Sequence, residues 1–407
     1  MKKLKILTCA ITALSLPALA DNITWDGGGV GDDFLTAENW VGDAVPGVND
    51  SAIINADNTA VYNNVGVTTT VDSLRLGAAN GSATGELDVQ AGTLTFAGTG
   101  LTSDVYRDSS GTMRVSGGTL NLDGGGNFRF GHRSGSHDFV TVTSGAANFA
   151  ARVNALGSNN ASFTATLSGG TTSFTGTHAD MLGARTGGAS YMSISNSAVL
   201  TVSANNGFRL GEGTVGGTNT LDITGGTLNA ITRLTMGSST DATNIINVSG
   251  GDINGSNVLQ LQANGATSLF SITGSDATID FAGNVEANGG ALNEFEFILG
   301  NSGGNHVSLI DTAAQLKITT DTVLTIDAGT WDGTGSTNIV LFEYDTISGS
   351  GLFDVQLNGL TGTLNYAGGT GNQVVLEGAA IIPEPGTYAA LAGIIGLGIA
   401  VIRRRRV

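Results

Sequence analysis

The same order of residue types recurs at Val115-Ser116-Gly117-Gly118, Leu167-Ser168-Gly169-Gly170, Ile223-Thr224-Gly225-Gly226 and Val248-Ser249-Gly250-Gly251. In each segment an aliphatic residue and a hydroxyl residue precede two glycines. Looser copies begin at Val89, Val142, Ile194 and Ile272, so that eight copies follow one another at steps of 24 to 29 residues. A sustained period of this length is typical of repeat proteins, in which each unit packs only against its neighbours.

A second landmark, a large apolar residue followed by glycine, recurs at nearly the same period. Its copies are Leu76-Gly77, Phe130-Gly131, Leu156-Gly157, Leu182-Gly183, Leu210-Gly211 and Met236-Gly237. Between the landmarks, apolar and polar residues alternate over short stretches such as Thr119-Leu120-Asn121-Leu122, which predicts strands with one face in a core. The glycine pairs suit tight corners, and residues 21–380 show no helical periodicity.

These features predict an all-β fold, a right-handed parallel β-helix (β-solenoid) with coils of about 26 residues over residues 56–290. Strands of successive coils would pair about 4.8 Å apart, which would stack the eight aliphatic residues in one interior ladder. They are Val89, Val115, Val142, Leu167, Ile194, Ile223, Val248 and Ile272. The alternatives are an array of β-sandwiches or a β-propeller, although propeller blades usually repeat at about 40–50 residues.

The N-terminal residues 1–20 have the pattern of a secretory signal peptide, with an N-terminal signal helix. Lys2, Lys3 and Lys5 precede an apolar run, and small residues at Ala18 and Ala20 form a cleavage site. The segment implies the general secretion machinery as a partner. It also contains Cys9, the sole cysteine, so the exported chain is expected to have neither a disulfide nor a catalytic thiol.

The C-terminal residues 379–407 carry a second signal. Pro383-Glu384-Pro385 leads into residues 386–402, an uncharged run of 17 residues, and Arg403, Arg404, Arg405 and Arg406 follow directly. The run reaches the short limit for a membrane span, about 17–25 residues, which predicts a single C-terminal transmembrane helix. The arginine cluster would remain on the cytoplasmic side.

This tail resembles the PEP-CTERM sorting signal of exported bacterial proteins, with Ile382 where valine is usual. The resemblance implies recognition by an exosortase, a membrane peptidase that acts near Pro383-Glu384-Pro385. It also implies a transient tether to the inner membrane, later removed. The expected destination is the cell envelope, the surface or the extracellular space, often in bacteria that make exopolysaccharide.

The segments on either side of the repeat are predicted to cap it. Residues 21–55 carry Trp25 and Trp40, and residues 291–378 are rich in aromatic side chains. Both flanks and the repeat resemble secreted proteins with autotransporter-associated β-strand (passenger-like) repeats. The resemblance implies that the tryptophans cover the first coil and that residues 291–378 form closing β coils or a cap.

The charge balance limits the partners. Residues 21–382 contain 10 Lys and Arg against 33 Asp and Glu. Such an acidic surface disfavours nucleic acids and anionic lipids, because binding to phosphates needs basic side chains. Neutral sugars, including exopolysaccharide, and Ca²⁺ are compatible neighbours.

The sequence gives little indication of a catalytic site. A polysaccharide-active β-helix enzyme needs clustered carboxylates, whereas the alternation points Asp88 and Asp222 outward, one at a time, to solvated positions on the outer face. The four histidines are His132, His137, His178 and His306. The first two are predicted to lie in a loop beside Asp138, five residues apart, which is poor spacing for a metal site. No catalytic residue, metal ligand or cofactor is predicted, although the loop of residues 26–33 could bind Ca²⁺ loosely.

Outward arginines at Arg75, Arg129 and Arg209 share one strand register and suit ion pairs or an anionic glycan. Together the two signals, the repeat and the lack of a catalytic cluster predict an exported, non-enzymatic β-solenoid. Its expected role is structural or adhesive, at the cell surface or in the extracellular matrix. The alternatives are a glycan-binding module and a polysaccharide-active enzyme.

Overall fold

The computed structural model describes residues 20–382 with short gaps, at 56, 78–82, 99–109, 125–126, 131–134, 151, 156–160, 177–178, 184–186, 212–215, 238–240, 263–265, 275, 289–291, 301–306, 310–313, 319–321, 335–336, 350–351 and 369–370. Residues 1–19 of the predicted signal peptide and residues 383–407 of the sorting tail lie outside the described residues. So do His132, His178, His306 and Leu156.

The described chain is all-β apart from one 3-10 helix, Ala37–Asn39. The N-terminal strands are β1 Asn22–Thr24, β2 Ser51–Ile54, β3 Thr59–Val71, β4 Ser73–Leu76 and β5 Gly85–Phe96. The strands that follow are β6 Gly111–Val115, β7 Thr119–Leu122, β8 Asn127–Phe130, β9 His137–Val142, β10 Ala146–Phe149, β11 Arg152–Ala155, β12 Ser162–Leu167, β13 Thr171–Phe174, β14 Ala179–Leu182, β15 Ala189–Ile194, β16 Val199–Val202, β17 Phe208–Leu210, β18 Thr218–Ala230 and β19 Arg233–Met236.

The remaining strands are β20 Thr243–Gly255, β21 Val258–Gln262, β22 Thr267–Thr273, β23 Ala277–Phe281, β24 Val285–Asn288, β25 Leu292–Ile298, β26 Val307–Leu309, β27 Gln315–Ile318, β28 Thr322–Asp327, β29 Ile339–Glu343, β30 Thr346–Ser348, β31 Asp354–Asn358, β32 Leu360–Gly368 and β33 Gln373–Ile381.

Strands β6 to β30 form a parallel β-solenoid of about nine coils with about 26 residues per turn, which confirms the predicted all-β parallel solenoid and its coil length. Each coil contributes a first, a second and a third strand, and β18 and β20 each supply the first two strands of their coil without a break. Equivalent strands pair in parallel from coil to coil. The solenoid therefore has three faces, which we name the first-strand, second-strand and third-strand faces.

The interior ladder predicted from the repeat is present in register. Val89 pairs with Val115, Val115 with Val142, and the pairing continues through every predicted member to Ile272. All eight side chains are at most 1% exposed. The ladder extends beyond the prediction in both directions, to Tyr62 before it and to Phe297, Ile326 and Leu357 after it. A coil cannot bury its apolar face alone, so this continuous column is what makes the stack stable.

The second landmark forms a ladder on the third-strand face. Leu182 pairs with Leu210, and Leu210 pairs with Met236. In the coil of β11, however, Phe130 pairs with Ala155, the residue before the predicted Leu156. The corner before β11 is short, with β10 ending at Phe149 and β11 beginning at Arg152, and corner length sets the register of the next strand.

The glycine pairs lie where the chain turns against the previous coil. Gly251 has a φ of +78°, and a Cβ added to it would lie 2.4 Å from the carbonyl oxygen of Gly226. Only glycine combines a positive φ with so close an approach of two backbones. The glycine pair thus fixes the corner between the first and second strands.

Further elements lie against both ends of the solenoid. At the N-terminus, Trp25 and Trp40 are fully buried with ring centroids 5.0 Å apart, and the Trp40 indole donates a hydrogen bond to the Phe34 carbonyl at 2.8 Å. At the C-terminus, β32 and β33 form an antiparallel hairpin, and β33 also pairs antiparallel with β29. An antiparallel end interrupts the parallel edge on which a further coil could be added.

Candidate functional site

The first-strand face carries a column in which hydroxyl and aromatic side chains alternate. Thr112, Phe139, Thr164, Tyr191 and Thr220 occupy equivalent positions of five successive coils. Phe139 is 43% exposed and Tyr191 is 37% exposed. Among the side chains that the structure describes, these two are the only exposed aromatic ones. Residue alternation explains their position, because the neighbouring Val140 and Met192 point into the core.

Small polar residues flank this column on both sides. On one side, Thr141, Thr166, Ser193 and Asp222 are in register, and on the other side His137, Ser162, Ala189 and Thr218 are in register. His137 and Ser162 are joined between coils by a 2.5 Å hydrogen bond that involves His137 Nδ1 and Ser162 Oγ. The face is therefore a level platform of short side chains with two aromatic rings standing on it.

Asp222 forms a hydrogen bond with Tyr191 at one end of the platform. Burial raises the pKa of the Tyr191 phenol, and a hydrogen bond to Asp222 together with its negative charge raises it further, while a hydrogen bond with Ser193 lowers it. Asp222 also accepts a hydrogen bond from Asn247 Nδ2 at 2.7 Å. These contacts link three consecutive coils and fix the hydroxyl end of the Tyr191 side chain.

The second-strand face carries a ladder of amides and hydroxyls. Asn121 Nδ2 donates to Thr95 Oγ1 at 3.2 Å, Asn148 Nδ2 donates to Asn121 Oδ1 at 2.9 Å, and Ser173 Oγ donates to Asn148 Oδ1 at 2.8 Å. Four successive coils are thus tied together by side chains as well as by backbone. Because each group is engaged with the next coil, this ladder is chiefly a stabilising feature.

The third-strand face carries a charged cluster centred on Glu286. The carboxylate accepts hydrogen bonds from Lys317 Nζ at 2.6 Å, Gln260 Nε2 at 3.0 Å, Asn284 Nδ2 at 3.2 Å and Asn288 Nδ2 at 3.2 Å. Burial by itself raises the pKa of Glu286, but the hydrogen bonds from Lys317 and the three amides outweigh burial and hold the pKa below its ordinary value. The cluster spans three adjacent coils, so it also ties coils together.

A buried polar column inside the solenoid escaped the sequence analysis. Its members are Ser190, Asn219, Asn244, Ser268, Asn293 and Thr322, in register and at most 3% exposed. Asn219 Nδ2 donates to Asn244 Oδ1 at 2.9 Å. Each member lies four residues before an interior ladder residue, and this constant offset is the signal that would have revealed the column.

The outward aspartates differ from one another. Asp222 lies on the outer side and is half-buried, as described above. Asp88 also alternates with core residues, but it is only 8% exposed because Gln90 Nε2 and Ser116 Oγ cover it, at 3.0 and 2.8 Å. The expectation that Asp88 is a solvated surface group is therefore wrong. Its carboxylate serves as a hydrogen-bond acceptor between coils.

The predicted loop around His137 is also corrected. His137 begins strand β9, and the next residue, Asp138, points inward and is fully buried. Asp138 Oδ1 accepts a hydrogen bond from the Gly111 backbone N–H at 3.2 Å. Side chains alternate along a strand, so His137 and Asp138 lie on opposite sides of the sheet. The two side chains therefore cannot form one site.

The three arginines predicted to point outward do not lie in a single sheet. Arg75 belongs to the sheet formed by β1, β2 and β4, whereas Arg129 and Arg209 lie in the nine-stranded sheet of the third-strand face. Arg209 Nε donates to the Asn206 carbonyl at 3.2 Å. An ion pair on the first-strand face involves another arginine, with Arg114 Nε and Glu86 Oε1 3.2 Å apart.

The acidic loop of residues 26–33 is organised by Asn39. Asn39 Nδ2 donates to the carbonyls of Gly31 and Asp33, at 2.9 and 3.0 Å, and Asn39 Oδ1 accepts from the Gly29 N–H at 2.9 Å. Asp33 Oδ1 accepts from the Leu35 N–H and from Asn64 Nδ2. The Asp33 carboxylate thus binds the backbone of this segment and a side chain of the adjoining coil.

Within the described ranges, no three His, Cys, Asp or Glu side chains lie close enough to hold a metal ion. The described part of the chain also contains no helix with the length and hydropathy needed to span a membrane. No protein-family model, curated protein or solved structure matches the chain.

Proposed function

We propose that this chain is an exported, non-enzymatic β-solenoid that serves as a structural or adhesive element of the cell surface or extracellular matrix. The observation that carries the proposal is the unbroken interior ladder from Tyr62 to Leu357. Its twelve rungs correspond to a rod of about 53 Å at the usual strand spacing. The structure supports the solenoid, which is compatible with a surface or structural protein, and the export and the role are our inference.

The export route is inferred from the two ends of the sequence. Residues 1–20 would direct the chain to the general secretion machinery, with cleavage after Ala20. The transmembrane helix predicted for residues 386–402 would tether it to the inner membrane until an exosortase-type peptidase acts near Pro383-Glu384-Pro385. The released body would then reach the envelope, the surface or the medium. We further infer that the coils wind right-handedly, as parallel β-crossovers almost always do.

A non-enzymatic role is supported by the way the described carboxylates are used. Glu294 accepts a hydrogen bond from Thr325 Oγ1 at 2.6 Å, and Glu296 accepts one from Ser271 Oγ at 2.6 Å. These two acids of the first-strand face therefore pair with hydroxyls of adjacent coils. Glycosidic cleavage instead requires two carboxyl groups to flank one bond.

Cell fractionation with mass spectrometry of both termini tests this proposal. We expect the full-length chain to yield a processed form in the envelope or medium that begins at Asp21 and ends near residue 383. The triple variant Pro383→Ala, Glu384→Ala and Pro385→Ala should accumulate in the inner membrane with its tail intact. Finding the wild-type chain in the cytoplasm with both ends intact would overturn the proposal, as would cleavage of polysaccharides by the purified body at enzyme-like rates.

A further inference from the structure

The placement of the two exposed aromatic residues is informative. Phe139 and Tyr191 lie in the same column of the first-strand face, with Thr164 of the intervening coil between them. The two rings are therefore about 9.6 Å apart along the solenoid axis, which is two strand spacings. Other aromatic rings of the described chain, such as Phe149 and Phe174, are buried in the core. Exposed apolar rings that stand together on a surface mark contact sites, so this column is a candidate contact surface.

The chemistry around the rings indicates the class of partner. A pyranose ring has an apolar face of C–H groups, which packs on an aromatic ring, and a rim of hydroxyls. The columns beside Phe139 and Tyr191 offer the hydroxyls of Thr141, Thr166 and Ser193, which can both donate and accept hydrogen bonds. Apolar rings standing among short hydroxyl side chains thus complement both parts of a sugar.

The spacing of the rings indicates the form of the sugar. In an extended β-1,4-linked glycan, every second residue presents the same face in the same direction. The disaccharide repeat of such a chain is close to two strand spacings. A chain that runs along the solenoid axis would therefore place equivalent sugars on Phe139 and Tyr191, while the sugar between them would lie over Thr164.

The charges of this face select a neutral glycan. Asp222 lies at the Tyr191 end, and the positive charge of Arg114, at the other end, is already paired with Glu86. The body of the chain carries many more acidic than basic residues. A polyanionic glycan would be repelled by this surface, whereas a neutral glycan has no such cost.

We propose that Phe139 and Tyr191 form a binding platform for a neutral, β-1,4-linked glycan chain that lies along the solenoid axis. This inference rests on the surface or matrix role proposed above and names its partner. The glycan would connect the rod to the polymer around it. Binding would depend on both rings, since a single ring contacts only one sugar.

Isothermal titration of the exported chain with cellohexaose and chitohexaose tests the platform, with α-1,4-linked maltohexaose and polygalacturonate as comparison ligands. We expect binding of the β-linked neutral chains only. Phe139→Ala or Tyr191→Ala should each weaken binding about fivefold or more, as for other residues that dominate an interface, and the double variant should abolish it. Tyr191→Phe should retain most of the affinity, because it keeps the ring.

Ile231→Ala is the matched control, since Ile231 is 45% exposed but lies outside the platform. It should leave binding unchanged, and circular dichroism should show that all variants are folded. Absence of binding to both β-linked chains would overturn the inference, as would equal binding of maltohexaose or unchanged affinity in the double variant. Fractionation of the cells separates this failure from failure of the proposed function, because correct export without glycan binding overturns the platform alone.

Discussion

Phe34 packs edge-on against Tyr62, with ring centroids 6.0 Å apart. Phe34 belongs to the N-terminal cap, where it also contacts Trp40 at 5.0 Å, and Tyr62 is the first rung of the interior ladder. The pair thus joins the cap to the column that runs through the solenoid. An uncapped first coil would expose its apolar interior and its strand edge to water.

The first prediction concerns this cap. Phe34→Ala should lower the free energy of unfolding by about 3–5 kcal/mol, the usual cost of removing a fully buried phenylalanine. In a stack of coils the loss should be felt most by neighbouring coils. Hydrogen exchange should therefore accelerate more in β3 and β5 than in β20. Val30→Ala, at a residue that is 99% exposed, should change neither quantity, and uniform acceleration across all coils would contradict the prediction.

A second prediction concerns the glycine corners, where replacing glycine costs stability for two reasons, the positive φ and the close approach of two backbones. Gly251 and Gly274 both have positive φ values, +78° and +81°, but only Gly251 has backbone atoms within reach of an added Cβ. Gly274→Ala should cost about 1–2 kcal/mol for the left-handed conformation alone. Gly251→Ala should cost clearly more, since it also forces two coils apart. The measurement is urea unfolding of both variants, and equal destabilisation would show that the close approach contributes nothing.

The third prediction addresses the buried polar column. Asn244→Ala removes the acceptor of the Asn219 amide, and leaving a buried polar group without that partner typically costs about 1–3 kcal/mol. The double variant with Asn219→Ala should be less destabilised than the sum of the two single variants. A double-mutant cycle by chemical denaturation measures this coupling, expected at about 0.5–3 kcal/mol. Strict additivity would contradict the proposed contact.

The fourth prediction is a pH dependence caused by Glu286. Its pKa is lower in the folded chain than in the unfolded chain, so its contribution to stability is present above the ordinary glutamate pKa and is lost as the pH falls through the folded value. Between about pH 7 and about pH 3, wild type should therefore lose more stability than Glu286→Gln. Lys317→Met should also reduce the loss. Parallel pH profiles for all three proteins would contradict the assignment.

The sequence predicts the ladder from Val89 to Ile272 correctly because the interior of a solenoid repeats the same chemistry at every coil. Inward positions must be apolar, and corners of this type need glycine, so both recur in the sequence. The exposed pair Phe139 and Tyr191 is not repeated in every coil. Only the stacking of coils brings these residues, 52 positions apart in the chain, into one column.

The burial of polar residues is harder to predict from the sequence than that of apolar ones. Strand alternation predicts that Asp88 lies outside the core, but not that Gln90 and Ser116 cover it. Asp138 and Asn219 are polar residues at inward positions, near the start of a first strand, where backbone and side-chain partners are available. Whether a buried polar group is tolerated depends on such partners, and these come from other coils.

The most direct test of the central claim uses cysteine pairs in the exported chain, whose only native cysteine, Cys9, lies in the predicted signal peptide. Thr201 and Asn229 are register partners on the outside of adjacent coils, with Cα atoms about 4.8 Å apart, a separation that a disulfide can bridge. Thr201 and Thr227 are two residues out of register, at about 8 Å, which a disulfide cannot bridge without backbone movement.

We predict that mild oxidation cross-links the pair Thr201→Cys and Asn229→Cys efficiently, as non-reducing electrophoresis and peptide mass spectrometry would show. The pair Thr201→Cys and Thr227→Cys should remain largely reduced. Equal cross-linking of both pairs, or preferential cross-linking of the second, would contradict the stacking of coils in this register, and with it the solenoid account.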